Sequence, residues 1–161
     1  TLKLTPYPVD IPRIALKAPV AGDPAPPLDG GEWYRGAPSK APFRIYFFWA
    51  TWCGRCKAAV PALLDFEKRH PGIPIYAITT DDSETLDGFF RSWKGSFPSR
   101  VLMQVHQKIN RAYGVSGIPI FFVVDASNKI LSVQNGFAER VGLEFERSLP
   151  AATSRSKQTK P

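Results

Sequence analysis

Three apolar runs set the rhythm of the chain: IYFFWA at 45–50, IYAITT at 75–80 and GIPIFFVVD at 117–125. Each is continuous rather than alternating, as strands covered on both faces are. Between the first two the spacing becomes helical. From Gly54 to His70, apolar Val60, Leu63, Leu64 and Phe66 alternate with polar Asp65, Glu67, Lys68 and Arg69. Pro61 lies inside this helix and predicts a kink, because it removes one backbone donor. DDSETLDGFFRSWKG predicts a second helix, with Asp82 or Ser83 as its N-cap and acids in its first turn. SFPSRVLM predicts a turn into a short extended piece, and VHQKINRAYG a short helix over 105–114 that stops at Gly114. ASNK reads as a tight turn joining the third run to a hairpin partner, ILSVQNGF; ERVGLEFERSL, 139–149, closes the chain as an amphipathic helix. Strands alternating with helices and ending in a hairpin predict an α/β domain with a central mixed sheet.

The ends read differently. Residues 1–42 hold many of the 16 prolines and a turn signal, DGG at 29–31, which predicts an extended lead lying over or ahead of the core. The expected division is a lead segment at 1–20, one domain at 21–150 and a basic, disordered tail at 151–161. A chain of 161 residues with 43% hydrophobic content has room for one real core. No run of 18 apolar residues exists to cross a membrane as a helix. The first residues, TLKLTPYPVDIP, lack the basic and apolar regions of a signal peptide, which leaves a cytosolic protein or one whose signal or anchor has been removed. The net charge of +7 includes Arg155, Lys157 and Lys160 of the tail and is otherwise mixed in sign. Without a basic stripe, no nucleic-acid partner is expected.

The chemistry concentrates in FWATWCGRCKAAVP, which holds both cysteines, Cys53 and Cys56. Structural zinc needs four Cys or His ligands, and His70 and His106, the only histidines, stand at no zinc-finger spacing from the pair. As a staple the pair is poor, since so short a loop constrains the unfolded chain little. A reversible redox pair remains. It falls where a strand ends and a helix begins, so Cys53 meets unsatisfied amides and the positive end of the helix dipole. Such a setting lowers a thiol pKa from about 8.5 toward roughly 3.5–7. Cys53 is then the attacking thiolate, and Cys56, about one turn on, the resolving thiol. Arg55, between them, reads either as a solvated surface cation or as one that favours the thiolate by about 1 kcal/mol at roughly 7 Å and an effective dielectric of about 40, making the couple more oxidising. Gly54 lets a partner chain approach, and Trp52 is expected to be exposed as part of a docking surface. Trp49, Phe47, Trp93, Phe89 and Phe90 read as packing residues, and His70 and His106 as structural.

WATWCGRCK resembles the active-site motif of the thioredoxin superfamily, and GVSGIPIFFVVDASNKI resembles its second signature. The resemblance implies a cis-proline at Pro119, facing the cysteines, with Ile118 offering its backbone to a substrate strand. The stretch AITTDDSETLDGFFRSWKGSFPSRVL with INRAYGVSGIP resembles the insert of the TlpA, ResA and cytochrome-c-maturation thioredoxins, as does the lead-in AGDPAPPLDG. It implies a thioredoxin-like fold carrying that insert between the core βαβ unit and the cis-proline strand. Three positions depart from the pattern. Arg55 replaces a common Pro, Phe47 a common buried acid, and Ala59 a common Glu, which leaves Asp81 and Asp82 as the nearby acids for the Cys56 proton, with an N-cap role preferred for them.

The resemblance implies a thiol–disulfide oxidoreductase acting on protein cysteines, with no cofactor beyond the Cys53–Cys56 dithiol and no metal. It implies a reductant facing the periplasm, free or membrane-anchored, recharged by a membrane thiol reductase, and a monomer by default. Arg55 favours the opposite direction, a disulfide oxidase or isomerase. A Cu(I)-handling module is the alternative from another class, since two thiolates suit Cu(I), although the copper-delivering relatives space their cysteines by three and add a His. A peroxiredoxin-type peroxidase lacks its peroxidatic motif here.

Overall fold

The computed structural model describes residues 17–104, 106–136 and 140–151. Most of the expected lead segment, 1–16, and nearly all of the expected tail, 152–161, lie outside the described residues. Ten elements follow in chain order: β1 (Gly31–Arg35), β2 (Phe43–Phe48), α1 (Gly54–Arg69), β3 (Ile75–Thr79), α2 (Ser83–Ser92), β4 (Arg100–Gln104), α3 (Lys108–Ala112), β5 (Ile120–Asp125), β6 (Ile130–Asn135) and α4 (Val141–Ser148). The strands make one six-stranded sheet in the order β1-β4-β3-β2-β5-β6. The β2–β3 and β3–β4 pairs are parallel, each joined by a helix, and the other three pairs are antiparallel. This is a mixed sheet flanked by helices, the arrangement that the resemblance implies.

The apolar runs are continuous because the central strands are covered twice. Along β2, Ile45 and Phe47 enter one core with Val60, Leu63 and Phe66 of α1, Leu86 of α2 and Phe145 of α4. Tyr46 and Phe48 turn to the other face and meet Tyr76, Phe122, Tyr113 and Ile109 of α3. Alternating side chains thus feed two cores. Phe47 stacks on Phe121 of the neighbouring strand at 5.1 Å, within the first core. A second aromatic group, Trp49, Phe89, Phe90, Trp93 and Phe97, covers the sheet beside α2.

Two expectations change. The lead is not wholly an overlay, because Gly31–Arg35 pairs with β4 as an edge strand. Its period of two is masked by neighbouring prolines and by a bulge: Trp33 packs on one core and Tyr34 on the other. The third helix is also shorter than predicted, starting at Lys108 rather than 105. His106 and Gln107 are both left-handed, so His106 belongs to the turn before α3 and not to the helix. Buried Gln104 explains the late start, since its side-chain oxygen accepts the Asn110 amide at 2.8 Å and so ties the end of β4 to α3. Elsewhere the boundaries move by one to three residues, and α1 continues as one helix through Pro61, whose ring is exposed.

Candidate active site

The loop after β2 delivers the cysteines to the first turn of α1. Cys53 is the N-cap residue, with extended backbone (φ −83°, ψ 104°), and its Sγ accepts the Cys56 amide at 3.1 Å. One of the helix's orphan donors therefore points at sulfur instead of at the usual Ser or Asp oxygen. The two cysteines form a disulfide, with Cα atoms 5.2 Å apart. Cys56 is fully buried, whereas Cys53 keeps 6% of its surface. Of the two residues, Cys53 is the one with any exposed surface.

The first turn holds no acid; in its place stand Arg55 and Lys57. Of the longer helices, the other two follow the usual rule: α2 has Asp82 as N-cap and Glu84 in its first turn, and α4 has Glu144. The Thr85 amide and hydroxyl hold the Asp82 carboxyl below the usual carboxylate range. The start of α1 thus keeps its positive potential for sulfur. Gly54 and Arg55 are exposed, and nothing lies within 4 Å of where a Gly54 Cβ would be, so a partner chain meets open space there.

Around the disulfide, the structure brings together the residues read from two distant motifs. Trp52 is 74% exposed, one of few large apolar side chains in that state. The Ile118–Pro119 bond is cis, Pro119 is buried, and its carbonyl accepts the Gly136 amide at 2.8 Å. Among the described residues neither the Ile118 amide nor its carbonyl is engaged in a backbone hydrogen bond. Trp52 and Ile118 line a common cavity of about 330 Å³ with Val115, Asn110, Gln107 and Thr80. Its walls are apolar and uncharged-polar, suited to an extended peptide.

Beneath the sulfurs the protein is apolar. Phe47 and Ala59 are fully buried in the same core as Cys56. The half-buried carboxyl on α1 is Glu67, pushed up by burial although the Ile75 amide and Arg100 act against it. It lies eleven residues beyond Cys56, roughly 16 Å along the helix axis, and so is remote from the sulfur. Among the described residues no group of three His, Cys, Asp or Glu side chains could hold a metal ion.

The two acids that the sequence offered together, as N-caps or as acids near the Cys56 proton, take different places. Asp82 takes the N-cap of α2, and Asp81 turns instead toward the cysteine loop, accepting the Thr51 amide at 2.7 Å and the Thr79 hydroxyl at 3.0 Å. The doubled acid in TTDDS is the only sequence signal, since one helix needs only one of the two as cap.

The model of the family described as thioredoxin-like matches residues 43–130, more than half of the chain. The chain is 29% identical over 92 residues to the thiol-disulfide oxidoreductase ResA of Bacillus subtilis, covering 55% of this chain and 50% of that protein. It is 28% identical over 114 residues to the thiol:disulfide interchange protein DsbE homolog of Paracoccus denitrificans, covering 67% and 62%. The match thus spans roughly half to three-fifths of the length of these curated relatives. A Chlorobium tepidum structure described as a thiol:disulfide interchange protein DsbE superposes with a TM-score of 0.66 at 24% identity, covering 83% of this chain and 97% of that one. That likeness supports the fold. With the family model, the sheet order and the placement of Cys53 and Cys56 all in agreement, the chain belongs to the thioredoxin-like family.

Proposed function

We propose that the protein is a thiol–disulfide oxidoreductase of the ResA/DsbE kind, exchanging disulfides with protein cysteines through Cys53 and Cys56. One observation carries this reading: a disulfide at the mouth of α1, with one sulfur reachable and its partner fully buried. In the reduced protein the Cys53 thiolate, favoured by the helix N-terminus, attacks a client disulfide. A mixed disulfide forms and one client sulfur leaves as thiolate. Cys56 then loses its proton and attacks Cys53 Sγ, which restores the intramolecular disulfide and releases the second client thiol. Two electrons pass from the dithiol to the client; the protein's own sulfurs carry them, with no resident cofactor.

The client presents an extended segment to Trp52 and to the free backbone groups of Ile118, lying along the uncharged groove. The preferred direction is reduction, outside the cytoplasm, with a membrane thiol reductase as the electron source and the chain acting as a monomer. The resemblance to the TlpA and ResA group supports the direction, the compartment and the electron source, with the monomer as the default, and cytochrome c maturation is the client pathway that resemblance suggests. No described helix is long and apolar enough to cross a membrane. A second reading, an oxidase or isomerase, is favoured by exposed Arg55 and by the lack of a carboxylate under Cys56.

The equilibrium reduction potential of the couple at pH 7 decides between them. A value below about −220 mV marks a reductant, and one above about −160 mV overturns that direction in favour of the oxidant. Cys56→Ser, incubated with a disulfide-bonded client, accumulates a mixed disulfide through Cys53; failure to trap any adduct would count against exchange chemistry altogether.

A further inference from the structure

The chain reaches Cys53 through a tight turn, Ala50–Thr51–Trp52–Cys53, closed by the Cys53 amide donating to the Ala50 carbonyl at 3.0 Å. In such a turn the amide of the second residue has no partner within the turn itself. Here that amide is Thr51's, and it donates to Asp81 Oδ2 at 2.7 Å. The same oxygen accepts the Thr79 hydroxyl at 3.0 Å, and the Thr79 oxygen accepts the Asp81 amide at 3.1 Å. Thr79 is 1% exposed and ends β3, so the carboxylate is held from the rigid centre of the sheet. Trp52, standing mostly in solvent, contributes little to anchoring the turn.

From this network we infer that Asp81 is a positioning residue for exchange. It sets the turn that aims the one reachable sulfur and the Trp52 ring at the client. Its neighbour Thr80 lines the same groove as Trp52, so one strand end supplies both the anchor and part of the wall. The acid works as a hydrogen-bond acceptor two residues from Cys53, and needs neither to touch the client nor to move a proton. This inference rests on the oxidoreductase reading above.

The test compares Asp81→Asn with Asp81→Ala. An Asn oxygen in the place of Oδ2 still accepts from Thr51 and Thr79; Ala offers nothing. Both lose the charge, so any effect of charge on the Cys53 thiolate is common to the two. The expected result is exchange with a disulfide-bonded peptide about tenfold slower in Asp81→Ala and within about twofold of the wild type in Asp81→Asn. The pH midpoint for iodoacetamide alkylation of reduced Cys53 is expected to shift equally in both. Equal slowing in both variants, or no slowing in either, overturns the inference. If Asp81→Ala does not fold, Thr79→Val decides: it removes one hold on the carboxylate, and exchange at the wild-type rate then overturns the inference. A wild type that alkylates normally but exchanges with no disulfide overturns the oxidoreductase reading instead.

Discussion

The two ends of α1 are built on opposite plans. At its start the helix meets a buried, apolar setting with no acid in the first turn, and a sulfur receives the amide that an Asp or Ser oxygen usually takes. At its end, Lys68 and Arg69 stand in the last turn, and the His70 amide closes on the Phe66 carbonyl at 2.8 Å. Arg69 bonds Asp65 at 2.8 Å and also reaches Glu146 of α4, whose carboxylate takes His70 Nε2 at 2.9 Å. The far end is thus complemented by charge and tied to a neighbouring helix, while the near end keeps its dipole uncompensated. Charge complementarity in a first turn is worth about 0.3–1 kcal/mol. The start of α1 forgoes it within its own first turn, and the Cys53 thiolate, which exists only after reduction, is placed to recover it.

That contrast is open to measurement. The largest expected effect is all-or-none: Cys53→Ser at the near end abolishes exchange with any disulfide, followed by release of client thiols, while the thermal transition persists. Phe47→Ala removes a fully buried ring stacked against Phe121 directly below the site, and is expected to cost about 3–5 kcal/mol in urea unfolding. Arg55→Glu, which places an acid where α2 has Glu84, raises the Cys53 pKa by about 1.5 units, read from the pH dependence of alkylation. An unchanged pKa would mean that solvent screens the exposed cation and that the helix end alone sets the thiolate. At the far end, Glu146→Ala is expected to cost about 1 kcal/mol or less, because its partners are partly solvated.

The smallest effect concerns pH. Burial, and then the neighbouring Arg69, lower the His70 pKa, so neutral imidazole faces Glu146 at pH 7. A histidine with a lowered folded pKa takes up its proton first in the unfolded chain. Its contribution to stability is therefore complete above the ordinary histidine value, about 6.5, and declines as pH falls through that value toward the lower, folded one. Urea midpoints measured from pH 7.5 to 5 are expected to drop, and His70→Gln to flatten that part of the drop. A helix end favours a cation at such a position, but the desolvation of a nearly buried ring and the adjacent guanidinium outweigh that preference here.

What could be read in advance follows from range. The three apolar runs and the helix behind Cys53 are local signals, and all appear where the pattern placed them, because strands covered on both faces leave no polar positions to confuse the period. The pairing of Trp52 with Ile118 was legible only through the two resembling motifs, since 65 residues separate them in the chain. The edge strand β1 was hidden because GEWYR owes its conformation to β4, seventy residues away, more than to its own composition. Asp81 was legible as an acid near the cysteines, but its bond to the Thr51 amide was not: a carboxylate beside an N-cap looks like a second cap, and only the fold brings Thr51 within 2.7 Å of it. The start of α3 was misplaced because Gln104, the residue that delays it, acts from the preceding strand.

The bulges have a consequence beyond local geometry. Each sits in an outermost strand, where one extra residue, Tyr34 in β1 and Leu131 in β6, interrupts the ladder. At one border Glu32 and Arg35 add charge, and at the other the chain folds back so that Pro24 bridges Lys129. An interrupted, charged or partly covered border is a poor template for a second sheet. On the proposed function, extended client segments would bind beside Trp52 and Ile118, and sheet borders of this kind would offer them no second place to pair.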